Sequence, residues 1–371
     1  MNVLLWGTGK FALYIYQQIK QSKSITLKSF VDSDSKKWDT KFNGIRVISP
    51  TEIDDYYCEN DFILIAFTNG IEVFDNIATN NKYKIGFIRN RVFEARLPLA
   101  EDILNDPNIL WNDADYLDKP ILHSLETNVM DGCNLNCRGC SHFSNLFERD
   151  EKVSFDTFCK DLKKITENVF VYRFNLLGGE ALLNDNIVDY IDYATELMPN
   201  TDIELISNGL LIPKQSKKFF ECCKKNDVTI GISGYKPTLA MKDSIIRMLN
   251  ENGVIYIFRN AVEDFGKNID LSGNNDRYES VKRCRENRCH FVRQGKIYKC
   301  PFEALGNKFF SHFNIDARIE GGIDIYQEGL DWQQVVSTLH NDPVNACKYC
   351  GVEERIQWCI ANDPVIEDWI I

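Results

Sequence analysis

The sequence has no long apolar run and no excess of positive charge. Its longest uninterrupted apolar stretches, Phe11–Tyr16 and Phe62–Phe67, are six residues each. A membrane-spanning helix needs about 20, so no transmembrane segment is expected. Lys and Arg number 43 against 54 Asp and Glu, for a formal net charge of −11. Broad neutralisation of a phosphate backbone needs the opposite sign, which argues against a nucleic-acid partner held that way, although a local basic pocket is still allowed. The opening residues MNVLLWGTGK lack both the basic leader and the apolar core of a secretory signal, so a cytoplasmic location is expected. There is no low-complexity tract and no internal repeat beyond strand–helix alternation. The composition, 26% charged and 44% hydrophobic, is that of a globular chain and argues against disorder. At roughly 150 residues per domain, 371 residues make two or three domains.

Cysteine, by contrast, is abundant. Thirteen of them in a reducing compartment make a poor disulfide framework, and an odd number cannot all pair. Metal or cluster ligation is the first reading, and spacing decides it.

Strands expected at Val3–Trp6, Ile25–Val31, Asp61–Phe67 and Lys84–Ile88 alternate with helical stretches such as Phe11–Lys20. That alternation predicts parallel βαβ units and a Rossmann-like domain over residues 1–95. Pro98, Pro107, the acidic stretch Asn112-Asp113-Ala114-Asp115 and Pro120 mark residues 96–120 as a linker. Alternation then resumes, with strands near His123–Asn128, Val171–Leu177, Asp202–Ile206, Val228–Ile232 and Val254–Phe258. Helices are expected between them at Phe155–Asn168, Ile187–Met198, Lys214–Lys225 and Leu239–Asn252. Five or six βα repeats suit an open, partial (β/α)6 TIM-like barrel over 121–264 better than a closed eightfold one. Residues 265–371 break into short, polar, cysteine-rich pieces.

The decisive segment follows the first barrel strand: Asp131-Gly-Cys133-Asn-Leu-Asn-Cys137-Arg-Gly-Cys140. Three thiolates on one short loop can each hold one iron of a [4Fe–4S] cube and leave the fourth iron open to a ligand. A zinc site is the alternative, with His142 as a fourth ligand. At later strand ends come Gly178-Gly179-Glu180, Ser207-Asn208-Gly209 and Ser233-Gly234. Two glycines let a backbone approach a ligand, and barrel enzymes place their sites at such strand ends.

Over about 121–260 the Cys-x₃-Cys-x₂-Cys loop, the Gly-Gly-Glu run, Ser207-Asn208 and Ser233 resemble the radical S-adenosylmethionine (SAM) superfamily. The resemblance implies that Cys133, Cys137 and Cys140 hold a [4Fe–4S] cluster whose free iron is chelated by SAM. Gly178, Gly179 and Glu180 would face the methionine amino group, and Ser207 and Asn208 the ribose or carboxylate, with Ser233 nearby. One electron, from a flavodoxin- or ferredoxin-type donor, would cleave SAM to a 5′-deoxyadenosyl radical that abstracts a substrate hydrogen. Family members commonly carry an aromatic residue just before the third cysteine, against the adenine. This chain has Gly139 there, and Phe143 is the residue expected to stand in.

Six more cysteines lie toward the C-terminus: Cys284, Cys289, Cys300, Cys347, Cys350 and Cys359. Gly295-Lys-Ile-Tyr-Lys-Cys300 reads as a hairpin that delivers a ligand after its second strand. Cys347-Lys-Tyr-Cys350 is a close pair able to bind one metal centre, and two separated pairs could also make a zinc site. The spacing Cys-x₁₀-Gly-x₄-Cys-Pro, then Cys-x₂-Cys, resembles the SPASM or shorter twitch extension of radical SAM enzymes. That implies one auxiliary [4Fe–4S] cluster on Cys284, Cys300, Cys347 and Cys350, with Cys289 or Cys359 able to replace a member. Cys58, Cys159 and Cys222-Cys223 have no ligand spacing and read as buried small apolar residues. Tyr235, Arg259 and Glu303 read as surface or structural residues.

In the N-terminal domain Gly7-Thr-Gly9-Lys-Phe-Ala12 fits Gly-x-Gly-x-x-Ala, the turn that sets phosphate oxygens on a helix N-terminus. Asp32, at the end of the second strand, is placed to accept from a ribose hydroxyl. Phe30-Val-Asp32-Ser-Asp34, then Phe42-Asn-Gly44 and Pro50, resemble the nucleotide-binding domains of bacterial polysaccharide and nucleotide-sugar enzymes. The expectation is therefore a radical SAM enzyme that oxidises or rearranges a sugar, nucleotide sugar or other small metabolite in cell-surface glycan biosynthesis. No catalytic side chain is nameable. A radical SAM maturase of a ribosomal peptide and a zinc-stabilised binding protein are the alternatives.

Overall fold

The computed structural model describes residues 1–78, 82–113 and 118–371, in two compact units, Met1–Asp118 and Lys119–Ile371. It is a mixed α/β structure with a parallel sheet at the centre of each unit.

In the first unit the sheet contains β1 (Asn2–Trp6), β2 (Thr26–Val31), β3 (Lys41–Phe42), β4 (Ile45–Ile48), β5 (Phe62–Ile65), β6 (Ile85–Ile88) and β7 (Ile109–Trp111). Their order is β3-β4-β2-β1-β5-β6-β7. The five central strands are parallel, and β3 and β7 add antiparallel edges. The continuous apolar runs of β5 and β6 are buried at every residue, as strands covered on both faces must be. Helix Lys10–Gln21 turns Phe11, Ala12, Ile15 and Ile19 onto the sheet, a helical stripe of one face. The segment expected to be a linker instead belongs to this unit. Residues Ile109–Trp111 pair with β6, and the ring of Trp111 packs on Phe62. The proline and the acidic residues around that three-residue strand hid it. Ala114 and Asp115 of the acidic stretch lie outside the described residues.

In the second unit β8 (Ile121–Leu122) pairs with β10 (Phe170–Val171). The main sheet contains β9 (Leu125–Met130), β11 (Arg173–Gly178), β12 (Asp202–Ser207), β13 (Thr229–Gly234) and β14 (Tyr256–Ala261), all parallel. Helix Phe155–Thr166 begins at Ser154, whose hydroxyl accepts the Thr157 N–H (3.2 Å), and buries Phe158, Leu162 and Ile165. The helix expected over Leu239–Asn252 is split into Lys236–Ala240 and Lys242–Asn252. The second piece stops at Gly253, whose φ of +66° is the left-handed conformation glycine adopts without strain.

After β14 the chain forms β15 (Asp264–Ile269), then β16 (His290–Arg293), β17 (Lys296–Tyr298), β18 (Ile323–Asp324) and β19 (Cys350–Gln357). The expected boundary at 264 does not separate two sheets. Strand β16 lies parallel to β9, so the main sheet runs β14-β13-β12-β11-β9-β16-β17-β18. Its sixth parallel strand thus comes from the cysteine-rich region and not from a further βα repeat. Gln294 (φ 47°) and Gly295 (φ 78°) make the tight β16–β17 turn, and Cys300 follows β17 as the hairpin reading requires. Strand β19 returns antiparallel along β15.

Candidate active site

Leu125 to Met130 form a fully buried strand, and the three-cysteine loop begins three residues beyond it. The loop is held by contacts that need the absence of side chains. A Cβ at Gly178 would stand 1.9 Å from the Met130 carbonyl oxygen, and one at Gly179 2.3 Å from that of Gly132. The N–H groups of Gly179 and Glu180 donate to Met130 O (2.9 Å) and Gly132 O (3.0 Å). The two glycines therefore dock the end of β11 onto the cysteine loop, and they also line the cavity.

Glu180 is fully buried, and burial raises its carboxyl. Its oxygens accept from the Leu182 N–H (3.0 Å), the Ser207 hydroxyl (2.7 Å) and the Asn208 N–H (2.8 Å). Glu180 thus fixes the next strand end in place, with its oxygens occupied by protein donors. Asn208 in turn donates to Asn134 Oδ1 (2.7 Å), inside the cysteine loop. Ser207, Asn208 and Ser233 line the same cavity as the three cysteines.

That cavity has a volume of about 520 Å³. Cys133, Cys137 and Cys140 line one part of it, and Cys284, Cys300 and Cys350 another. The register separates the two sets. Cys300 lies two residues beyond Tyr298, which pairs with Phe291, and Phe291 pairs with Glu126 near the start of β9, whereas Cys133 follows Met130 at its end. At about 3.3 Å per residue those two levels of β9 are about 13 Å apart.

The thiols suit a cationic group. Burial pushes Cys133 up to about 12 and raises Cys137, with neighbouring cysteines adding to both. Such thiols become thiolates only when a bound cation compensates them. Among the described residues no three cysteine sulfurs lie within 4.8 Å of one another. In the C-terminal set burial also raises Cys300, Cys347 and Cys350 and takes Cys284 up to about 11, with Cys347 acting on Cys284 and Cys350.

Several expected roles change. Cys359 is not with the C-terminal set: its carbonyl accepts the Arg138 N–H (2.9 Å), and Cys137 bridges to Ile360. Cys289 pairs with the buried Glu126, which burial pushes up to about 7 while the Cys289 thiol and Asn175 hold it down. Phe143 is 2% exposed and its ring packs among Phe302, Phe309 and Trp369, and it also belongs to the cavity lining. Gly139 admits no aromatic replacement. It has φ 65°, and a Cβ there would meet Ile356 and the Asp368 carbonyl at 2.7 and 2.8 Å. Tyr235 and Phe265 line the cavity as well, and Tyr235 stacks on Trp358 (5.3 Å between ring centres). His142 also lines it, half-buried and pushed down to about 4 by desolvation, with Nδ1 3.2 Å from Asn128 Oδ1.

In the first unit Gly7 has φ 127°, and a Cβ there would meet the Ala66 carbonyl at 2.9 Å. Gly9 precedes helix Lys10–Gln21. The Asp32 carboxylate already accepts from the Thr8 hydroxyl, the Asp34 N–H (2.9 Å) and Lys37 Nζ (3.0 Å). Burial opposes these donors, but together they hold the carboxyl below its ordinary value.

Composition missed Glu126, Asn175 and Glu204, whose signal is a polar side chain recurring in phase within otherwise apolar parallel strands. Trp358 and Trp369, isolated aromatics in a polar stretch, left no signal.

Residues 1–85 match the family model described as C2185-like, N-terminal, and residues 127–290 that of the Radical SAM superfamily. Among curated proteins the chain is similar to GTP 3′,8-cyclase of Alkaliphilus oremlandii, at 26% identity over 31% of this chain and 36% of that protein. The enzyme of the same name from Clostridium acetobutylicum is 31% identical over 25% and 29%. The chain thus spans about a third of the length of these relatives. Among solved structures, BtrN in complex with AdoMet and 2-DOIA has a TM-score of 0.39 at 16% identity, covering 63% of this chain and 94% of that one. Native anSMEcpe with bound AdoMet and Cp18Cys peptide has a TM-score of 0.29 at 16% identity, covering 38% and 42%. The cysteine loop and the parallel strands β11 to β14 lie within residues 127–290, the span that matches the Radical SAM superfamily model.

Proposed function

We propose that this protein is a radical SAM enzyme that abstracts hydrogen from a sugar, nucleotide sugar or comparable small metabolite and completes an oxidation or rearrangement. The observation that carries this is the single cavity with a cysteine set at each end and the Ser207, Asn208 and Ser233 strand ends between. Cys133, Cys137 and Cys140 would hold the [4Fe–4S] cluster, with Gly178, Gly179, Ser207 and Asn208 around SAM. Cys284, Cys300, Cys347 and Cys350 would hold an auxiliary cluster. When bound, the cluster and SAM supply a 5′-deoxyadenosyl radical able to attack an unactivated C–H bond. The cavity of about 520 Å³ would have to hold the cluster and SAM as well as the substrate, which favours a small metabolite over a peptide. The chain's own contribution is enclosure: β15 and β19 cover the cavity with Phe265, Lys267, Ile269 and Arg355, which keeps water from a radical.

Anaerobic purification followed by SAM and a flavodoxin- or ferredoxin-type reductant tests the reading. Iron and sulfide near eight per chain, at about four per cluster, and formation of 5′-deoxyadenosine are expected. A colourless protein holding stoichiometric zinc would sink it.

The first unit is read as a Rossmann-like nucleotide-binding domain, supported by the β4-β2-β1-β5-β6 parallel order and the Gly7–Gly9 turn before a helix. Because Lys37 occupies Asp32, a ribose must displace it, so Lys37→Ala is expected to tighten binding. Calorimetry with NAD, UDP-sugars, CDP-sugars and GDP-sugars measures this. Silence from all of them in both forms leaves the domain a packing module.

A further inference from the structure

The chain that leaves β19 runs back along the cysteine loop. A Cβ at Gly139 would stand 2.7 Å from Ile356 Cδ1, so the Ile356 side chain lies against the loop. The Trp358 N–H still donates to Glu263 O (2.9 Å), which carries the strand direction one residue past Gln357. Residues two apart in an extended chain face the same side, and Trp358 therefore turns toward the loop with Ile356. Beyond it, Cys359 O accepts the Arg138 N–H (2.9 Å), Ile360 bridges to Cys137, and the Ala361 N–H donates to Asn136 O (2.8 Å).

The plane of the Trp358 indole is set by its neighbours. Its ring stacks on Tyr235 at 26° (5.3 Å between centres), and Phe265 meets Tyr235 edge-on at 6.1 Å. The indole Nε1 is buried and has no nitrogen or oxygen acceptor among the described residues. A buried donor left unmade is costly, so native proteins leave few of them. Because this nitrogen is covered, no ligand in the cavity can reach it, and its acceptor must belong to the protein. The side chain on which it acts as a donor is Cys137, which is 7% exposed. Cys133 differs, since the backbone N–H groups of Leu135 and Asn136 already serve it. A thiol sulfur is a weak acceptor and a thiolate a stronger one, so the contact gains strength when Cys137 carries charge.

We propose that Trp358 is a positioning residue whose indole N–H donates to the Cys137 sulfur and makes the cluster held there easier to reduce. This rests on the radical SAM reading above, with Cys137 as a cluster ligand. Hydrogen bonds to ligand sulfurs are among the levers that set a cluster's potential. An N–H aimed at such a sulfur favours the state with the extra electron over the state without it, which raises the potential. Tyr235 and Phe265 hold the ring at the angle this requires.

The test is a potentiometric titration of the anaerobically reconstituted full chain at about pH 8, read by electron paramagnetic resonance. The signal that changes when SAM is added reports the cluster of Cys133, Cys137 and Cys140, and the other signal is the internal control. Trp358→Phe keeps a ring against Tyr235 and removes the N–H. At a fixed potential its SAM-responsive cluster is expected to hold about tenfold less of the reduced form, about 59 mV for one electron, with the control unmoved. Trp358→His is the rescue. Its imidazole Nε2 overlays the indole Nε1 and is neutral at about pH 8, so the potential is expected to return toward that of the unaltered protein. A role in packing alone predicts the reverse order, with histidine further from the unaltered protein than phenylalanine. If Trp358→Phe takes up no cluster, Trp358→His decides, an unshifted potential supporting the proposal and a lowered one overturning it. If Trp358→Phe leaves the potential in place, or if both variants lower it alike, the proposal falls and the radical SAM reading stands. Weaker SAM binding with an unmoved potential would assign the N–H to SAM and overturn the proposal as well. If the unaltered protein gives no SAM-responsive signal, the radical SAM reading falls and takes the proposal with it.

Discussion

Replacing Cys133, Cys137 and Cys140 together by alanine is expected to abolish 5′-deoxyadenosine formation and to halve the iron content, from about eight to about four per chain. The three thiols line one part of the cavity. Cys359 is the nearest alternative: its thiol is close enough to act on Cys137, but it does not line the cavity. The C-terminal set lies at the other end of β9 and should keep its absorbance near 400 nm. Persistent 5′-deoxyadenosine in the variant would show that the SAM cluster has been placed on the wrong loop. A pH dependence follows with a definite sign. Cys133 and Cys137 hold their protons more tightly than free thiols, so iron must displace protons and loading weakens as pH falls. Reconstitution at a series of pH values, read by iron per chain, should show that order.

Trp369→Ala is expected to cost about 3–5 kcal/mol, the usual range for truncating a large buried aromatic. Trp369 is 3% exposed and packs against Phe143, Phe309 and Phe313. Its Nε1 donates to the Cys140 carbonyl (2.9 Å), which ties that packing to the cysteine loop. The neighbouring Asp368 pairs with Arg138 (2.5 Å), and Ala361 N–H donates to Asn136 O (2.8 Å). Residues 359–369 therefore hold the loop along its length. Denaturant unfolding of the full chain measures the alanine cost. Trp369→Phe separates the two roles: it keeps most of the packing and loses one hydrogen bond, about 1 kcal/mol. A changed electron paramagnetic resonance signal of the reduced SAM cluster in that variant would report the loosened Cys140. An unchanged signal would confine Trp369 to packing.

Much of this arrangement can be read from residue type and spacing, and some of it cannot. The cysteine loop, the strand ends carrying Gly178, Ser207 and Ser233, and the parallel alternation are local patterns, and the structure has them where the patterns lie. Gly178 and Gly179 are legible as close-approach glycines, but the neighbour they approach is the cysteine loop, which spacing does not reveal. The four residues of β16 carry no strand signal strong enough to stand alone, and their partner β9 lies about 165 residues upstream. Pairing at that separation leaves no periodic trace. The same holds for Cys359, which spacing groups with Cys350 and which β19 carries back to Cys137. Asn175, Glu204 and Thr229 each look like an ordinary polar residue until the register lines them up.

The position of β16 next to β9 also bears on the order of assembly. The cysteine loop is translated long before its supports, which are Arg293 on Asp131 (2.8 Å), Ile360 beside Cys137 and Trp369 on Cys140. A nascent chain paused before residue 290 would present Cys133, Cys137 and Cys140 with one wall of their enclosure missing. Contacts of such long sequence separation form late in folding. On the radical SAM reading, cluster insertion is expected to follow completion of the chain, with the thiols kept reduced until then.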